Sequence, residues 1–344
     1  MCEESLSRYR LLPSKGPSPA ERKTRFILFV ALGGNAMTES LFGRALIVIG
    51  ALACVAGCGG GSPSVTPAGS LTRVVPVAGP RGWPDAAKLA KPILFVSDLQ
   101  GNVVRLYDPD TPNAPEEGSI TDGVMSPQGI AVDSHGALYV SNVGYTEEAI
   151  TVYSPGQSKP RLTIPTSGYY GITVDSKGEV FATSEAGTVY GYKPGAKKPF
   201  ETIGGFDNLA GIAVDGKDNL WVADDSANKV YMIPAGTKTA KDAGLIGLHS
   251  PSGVSFGTGD TLYVGNFGSY NVTVYAAGSK KPSETITEGI TNPNLNGVTA
   301  ADYFFQANQL GAVVGYKKGQ RKPFSTITGS ADPLGIASSP LVKK

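Results

Sequence analysis

Histidine is almost missing from this 344-residue chain, which holds only His135 and His249. No Ser/His/Asp or Cys/His arrangement can be assembled around two isolated imidazoles, so the usual routes to nucleophilic catalysis are poorly supplied. Cysteine is equally scarce: Cys2, Cys54 and Cys58 all precede residue 59. The remaining 286 residues can therefore form neither a disulfide framework nor a cysteine-rich metal site, and their stability must come from packing. Charge is sparse too, at 17% of residues with a net value of +1. There is no overall basic field to gather a phosphate backbone, so nucleic acid is not an expected partner.

Glycine and proline are abundant instead, at 45 and 25 residues, as in a chain of short strands joined by tight turns rather than a helix bundle. A short pattern recurs from residue 92 onward. It opens on a Gly-apolar strand, Gly129-Ile130-Ala131-Val132, repeated at Gly171, Gly211, Gly253, Gly297 and Gly335 with spacings of 42, 40, 42, 44 and 38. Each copy continues through a turn to a second alternating strand such as Leu138-Tyr139-Val140-Ser141, a third such as Ile150-Thr151-Val152-Tyr153, and a short fourth such as Leu162-Thr163-Ile164. Four strands every forty or so residues predict an all-β, six-bladed β-propeller of four-stranded antiparallel blades over residues 92–340. A sheet this small cannot bury both faces alone, so the blades must stack in a closed ring. The chain enters at a second-strand position, Ile93-Leu94-Phe95-Val96, and leaves on an unpaired first strand, Gly335-Ile336-Ala337. The C-terminal strand is therefore expected to complete the N-terminal blade and hide both edges.

The stretch Pro127-Gln128-Gly129-Ile130-Ala131-Val132-Asp133 through Leu138-Tyr139-Val140-Ser141-Asn142 resembles the NHL repeat. That resemblance covers about residues 92–339 and implies the propeller fold. It leaves function open, because such propellers serve as binding scaffolds, lactonases, lyases and receptor ectodomains. Upstream, Arg44 and the apolar run 45–57 lead to Val55-Ala56-Gly57-Cys58, which closely resembles the lipobox of bacterial lipoproteins, in which the cysteine is lipidated. The run is too short to span a bilayer comfortably. On this reading residues 1–36 are an untranslated or disordered extension, 37–57 a lipoprotein signal peptide starting at Met37, and 58–91 a flexible tether. The competing reading makes 1–36 a cytoplasmic extension and 45–57 a membrane anchor. Both place the bulk of the chain outside the cytoplasm, held to a bacterial membrane.

In this blade order the second-to-third and fourth-to-first loops share one face, the mouth, and the two hairpin turns share the other. The mouth loops carry Asp98, Asp122, Glu147, Glu148, Glu185, Asp207, Asp224, Asp225, Glu288 and Asp332 against few basic residues such as Lys229. The third-to-fourth turns carry Lys159, Arg161, Lys197, Lys198, Lys280, Lys281, Lys317, Lys318, Arg321 and Lys322. An acidic mouth opposite a basic rim is expected. One residue per blade, Asp98, Asn142, Ser184, Asp224, Asn266 or Asn308, closes the second strand, where an Asx side chain caps a turn or meets a ligand. Tyr145, Tyr169, Tyr170, Phe267 and Tyr270 offer stacking surfaces in the same loops. The candidate ligand-binding set is thus Asp98, Asn142, Tyr170, Asp224, Asn266, Asn296 and Asn308.

Gluconolactonase-like propellers hold a metal with residues just before the inner-strand glycine, and the matching positions here are Gln128, Tyr170, Ala210, Ser252, Asn296 and Leu334. Only Asn296 keeps an expected ligand type, and no carboxylate remains. Streptogramin-lyase-like propellers need a catalytic histidine, which His135 in a hairpin turn and His249 in a mouth loop do not convincingly supply. The expectation is a monomeric, non-catalytic cell-envelope scaffold with no cofactor, whose acidic face binds an envelope protein, peptide or glycan. The alternative is a metal-dependent lactonase- or lyase-like enzyme taking a divalent cation through Asp98, Asp224 and Asn296.

Overall fold

In the computed structural model, residues 91–144 and 148–339 are described. The leader, the lipobox ending in Cys58 and the tether lie outside them, as do Tyr145, Glu147 and the side chain of Tyr169. Twenty-four strands form six four-stranded sheets. The first holds β1 (Leu94–Asp98), β2 (Val103–Tyr107) and β3 (Gly118–Ile120), with the last strand β24 (Pro333–Ser338) as its inner member. Blades 2 to 6 each use four consecutive strands and begin at β4 (Pro127–Val132), β8 (Tyr169–Val174), β12 (Leu209–Val214), β16 (Pro251–Gly257) and β20 (Pro293–Val298). The ring closes as expected: Leu94 faces Ser338, Phe95 faces Ala337 and Val96 faces Ile336 in antiparallel register. Ser339 seals the seam, its Oγ accepting from Ile93 N at 2.8 Å.

Alternation along the second and third strands sends side chains into both inter-blade layers, so every blade contributes to two cores. Phe95, Val104 and Leu106 pack against Ile130, Leu138 and Val140, while Leu94 and Val96 on the other face meet Phe305 and Ala307. At a conventional ~25 cal/mol per Å2 of apolar area, each fully buried Leu, Ile or Phe contributes about 2 to 3 kcal/mol, and a lone blade would forfeit most of that on both faces. Repetition thus supplies the stability that disulfides do not.

The inner strands approach so closely that a side chain would collide. A Cβ on Gly129 would lie 2.2 Å from the carbonyl oxygen of Tyr170 in the next blade, and one on Gly335 2.3 Å from that of Gln128. This explains the recurring glycine better than any turn does.

Blade 6 departs from the expected alignment. A bulge precedes the paired part of each inner strand, with Pro251 opposite Asn266 and Val254 opposite Val264 in blade 5, and Pro293 opposite Asn308 and Asn296 opposite Gln306 in blade 6. The residue equivalent to Gly253 is therefore Leu295, not Gly297, and Asn296 corresponds to Ile130, Ile172, Ile212, Val254 and Ile336. Counted through Leu295, the last two spacings become 42 and 40, in line with the others. The residue in the position just before the inner glycine is then Asn294, so the metal-ligand comparison drawn through Asn296 was two residues out of register.

Candidate functional site

The propeller axis is narrow where the inner strands meet. Ile130, Ile172, Ile212, Val254, Leu295 and Ile336 converge there and leave about 30 Å3, the share of a single water molecule. A space of that size takes no small molecule, which favours recognition on the mouth loops. Asn296 belongs to this wall, not to the mouth. It is buried, its Nδ2 donates to Gln306 Oε1 at 3.3 Å, and its Oδ1 accepts from no group. Gln306 in turn donates to the carbonyls of Asn294 and Ala307 at 3.0 and 2.9 Å. Blade 6 thus carries a buried amide pair where the other blades pair aliphatic side chains.

The strand-end Asx residues are likewise internal. Asp98 is fully buried; its Oδ1 accepts from Gly101 N and Asp332 N, and its Oδ2 from Ala331 N and Arg105 Nε, all at 3.0 Å. Burial alone would raise its pKa, but these four donors outweigh it and hold the carboxyl below the usual range. The same device recurs around the ring. Asn142 accepts from Met125 N at 2.9 Å, Asp224 from Asp207 N at 2.8 Å, Asn266 from His249 N at 3.0 Å and Asn308 from Thr291 N at 3.1 Å. In each case the partner lies 17 residues back, in the loop arriving from the preceding blade. The amide nitrogens are committed as well: Asn142 Nδ2 reaches Thr151 Oγ1 at 2.9 Å and Asn266 Nδ2 reaches Thr273 Oγ1 at 3.0 Å. Asp98, Asn142, Asp224, Asn266 and Asn308 therefore fasten mouth loops to the blades and present no free group to a ligand. The expected turn capping is present in Asp98 and Asp224, which accept from Gly101 N and Ala227 N of their own turns. The further partner is in another loop, which no local pattern reveals.

Tyr170 is the one member of the candidate set whose polar tip is at the surface, where its hydroxyl donates to Glu185 Oε1. Around it the mouth is less acidic than its residue count implies, because Asp98, Asp224 and Asp332 are buried. Asp122 and Glu288 stay exposed on fourth-to-first loops. Their backbone carbonyls accept from the Tyr153 and Tyr316 hydroxyls, which ties their loops to the third strand of the next blade. Glu148, Glu185, Asp207 and Asp225 remain solvent-accessible on the mouth loops. The cations nearest them are internally paired: Arg105 binds Asp98 and Glu116, and Lys229 binds Asp242 at 3.1 Å.

Among the exposed apolar side chains, Tyr270 was expected from the sequence, whereas Leu310 and Met125 were missed. Leu310 is 66% exposed, Tyr270 55% and Met125 47%, and all three stand on mouth loops of different blades. Leu310 and Tyr270 are held with positive φ, which a large L-residue does not adopt without cost. Phe267 packs edge-on against Tyr270 with ring centroids 6.4 Å apart. The hairpin face differs: the expected lysines and arginines of the third-to-fourth turns are all exposed there, but the first-to-second turns nearer the axis carry Asp133, Asp175, Asp215, Asp218, Asp260 and Asp302. Three of these link blades, Asp218 accepting from Ser176 N at 3.0 Å, Asp260 from Gly216 N at 3.4 Å and Asp302 from Thr258 N at 2.8 Å. Among the described residues no group of three or more His, Cys, Asp or Glu side chains is arranged to hold a metal ion.

No protein-family model matches the sequence. No curated protein matches it either. Solved structures do. A chain from the nidogen/laminin complex superposes with a TM-score of 0.62 at 15% identity, over 73% of this chain and 99% of that one. A protein of unknown function from Bacteroides caccae superposes with a TM-score of 0.54 at 11% identity, over 72% and 99%. At such identities the likeness is one of fold, and it agrees with the six closed sheets: the chain is a six-bladed β-propeller.

Proposed function

We propose that this chain is a binding scaffold of the bacterial cell envelope, anchored through a lipidated Cys58, which engages a protein partner across the mouth of its propeller. The observation that carries the reading is the pairing of a narrow axis with exposed Met125, Tyr270 and Leu310 on three separate mouth loops. Apolar side chains presented on a rigid ring among accessible carboxylates fit a protein surface, not a small metabolite, which would need a cavity. Glu185, Asp207 and Asp225 around them favour a partner with a basic rim, and a glycan or peptide would have to lie on the same loops. One solved relative in fold comes from a complex of nidogen with laminin, which supports a protein partner over the other two. The NHL-like repeat fits a scaffold, and the lipobox-like Val55-Ala56-Gly57-Cys58 supports the anchor.

The test has two arms. The triple substitution Met125→Asp, Tyr270→Asp, Leu310→Asp should abolish retention of the partner on immobilised protein while shifting thermal unfolding by less than about 6 °C, since each exposed substitution changes stability by under ~0.5 kcal/mol. Retained binding would exclude the mouth. Separately, Cys58→Ser should release the protein from the membrane fraction; continued sedimentation with membranes would contradict lipid anchoring.

A further inference from the structure

On the hairpin face, opposite the mouth, a cavity of about 200 Å3 opens between blades 3 and 4. Its walls bear four carboxylates, Asp175, Glu179, Glu201 and Asp218, against two lysines, Lys177 and Lys193, over an apolar floor that includes Phe181 and Leu220. The floor and the acids come from different turns: Asp175 and Glu179 flank the first hairpin of blade 3, Glu201 begins its outer strand, and Asp218 reaches across from blade 4.

Asp175 is the informative residue, because the same position exists in the two neighbouring blades. In blades 2, 3 and 4 the aspartate ending the inner strand uses Oδ1 in one way, accepting two backbone N–H groups of its turn at 2.8 to 2.9 Å. The blades differ at Oδ2. Asp133 Oδ2 accepts from the Tyr139 hydroxyl at 3.2 Å, and Asp215 Oδ2 accepts from Trp221 Nε1 and Asn219 Nδ2, both at 2.9 Å. In blade 3 the residue matching Tyr139 and Trp221 is Phe181, and the residue matching Asn219 is Glu179. Both donors are gone, and one has become a second acid. Asp175 is nine-tenths buried, faces the cavity, and its Oδ2 accepts from no group.

With no protein donor, Oδ2 is left to the cavity, where water or a ligand must supply one. The titration behaviour agrees. Burial, together with Glu179 and Asp218, pushes Asp175 above the usual carboxylate range despite its two backbone donors, and burial pushes Glu201 up too. Asp215, with its full set of partners, moves the opposite way. Lys193 does not neutralise Asp175: its ammonium pairs with Glu179 and lies 4.0 Å from the centre of the Phe200 ring. That arrangement does show what the cavity accepts, an ammonium held between a carboxylate and an aromatic face.

We infer that the cavity between blades 3 and 4 is a binding site for a primary alkylammonium, whose charged end donates to Asp175 Oδ2 and whose alkyl stem lies along Phe181 and Leu220. A divalent metal fits less well, because no three acidic side chains among the described residues are grouped to hold one. The cavity also suits a chain of four or five carbons rather than a drug-sized molecule. Either a free diamine or a lysine side chain of a protein has this chemistry.

Ligand-observed NMR and calorimetry on the intact chain test the site with 1,5-diaminopentane, butylammonium, blocked lysine amide and neutral butanol. Saturable binding of the ammonium probes, without butanol, is expected. Asp175→Asn, which keeps the turn acceptor, should weaken it by about tenfold or more. Phe181→Tyr rebuilds the donor of blade 2 inside the fold, and should displace the ligand while raising the melting temperature. Binding should also fall as acidification protonates Asp175 and Glu201, whose carboxyls are raised; the other charged groups facing the cavity are Glu179, Asp218, Lys177 and Lys193. Preference for the diamine would assign a free polyamine, and equal affinity for blocked lysine a protein side chain. Absence of saturable ammonium binding, equal binding of butanol, or undiminished binding by both Asp175→Asn and Phe181→Tyr would overturn the site.

Discussion

The two faces of this propeller use the same residue types for different ends. At the mouth, Asp98, Asn142, Asp224, Asn266 and Asn308 turn inward and stitch each incoming loop to its blade. On the hairpin face, Asp218, Asp260 and Asp302 reach sideways and tie one blade to its neighbour. What remains for solvent also differs: apolar tips among a few carboxylates at the mouth, and a basic outer rim around acidic inner turns on the hairpin face. The lesson is that counting charges per loop overstates how acidic a face is, because the best-placed carboxylates are those that the backbone has already claimed.

The sharpest way to break this contrast is to remove one claimed carboxylate and one unclaimed one. Asp98→Ala strands four donors at the ring seam and leaves Arg105 partly buried beside a gap. It should cost about 3 to 4 kcal/mol, a fall of roughly 6 to 16 °C in melting temperature for a domain of this size. Glu185→Ala on the same face should shift it by less than about 2 °C. Calorimetry on the two variants decides; equal effects would mean that Asp98 is not a fastener.

A second contrast lies in acid. Asp98 and Asp302 have lowered folded pKa values, against burial, because backbone donors and Arg105 or Lys318 favour their charged forms. Each therefore adds stability above its unfolded value near ~4, and that contribution disappears as pH falls through the lower folded value. Asp175 is raised, so its sign is opposite: it weakens the fold at neutral pH, and the penalty is relieved as pH drops through its folded value. Denaturant titrations should show Asp175→Asn more stable than the native chain at pH 7, with the advantage shrinking on acidification. A constant difference across that range would contradict the assignment.

A smaller effect is expected at the axis. Asn296→Ile alone strands Gln306 and should cost about 1 to 2 kcal/mol, whereas Asn296→Ile with Gln306→Val restores the aliphatic pairing of the other blades and should be neutral or stabilising. A double-mutant cycle measures the coupling, and simple additivity would show that the two amides do not act as a pair.

Much of this architecture was legible beforehand. The spacing of Gly129, Gly171, Gly211 and Gly253, and the missing first strand before Ile93, gave blade number and ring closure, because a repeat that cannot stand alone writes its period into the sequence. Gly297 misled because a leucine occupies the inner position of blade 6 and a glycine happens to follow two residues later. The fasteners were half legible: an Asx at a strand end announces capping, but its partner 17 residues away depends on where another loop lands. The apolar mouth residues gave no periodic signal at all. The cavity did leave a trace, since Tyr139, Phe181 and Trp221 stand at one repeat position and only the second lacks a donor.

The binding face itself is tested most directly by placing a photo-crosslinking amino acid at position 270 or 310 on the mouth, and at 197 or 318 on the opposite rim, in the intact cell. Covalent adducts with a single protein from both mouth positions, and none from the rim, is the outcome this account requires. Adducts from 197 or 318 with silence at 270 and 310 would show that the partner sits on the other face.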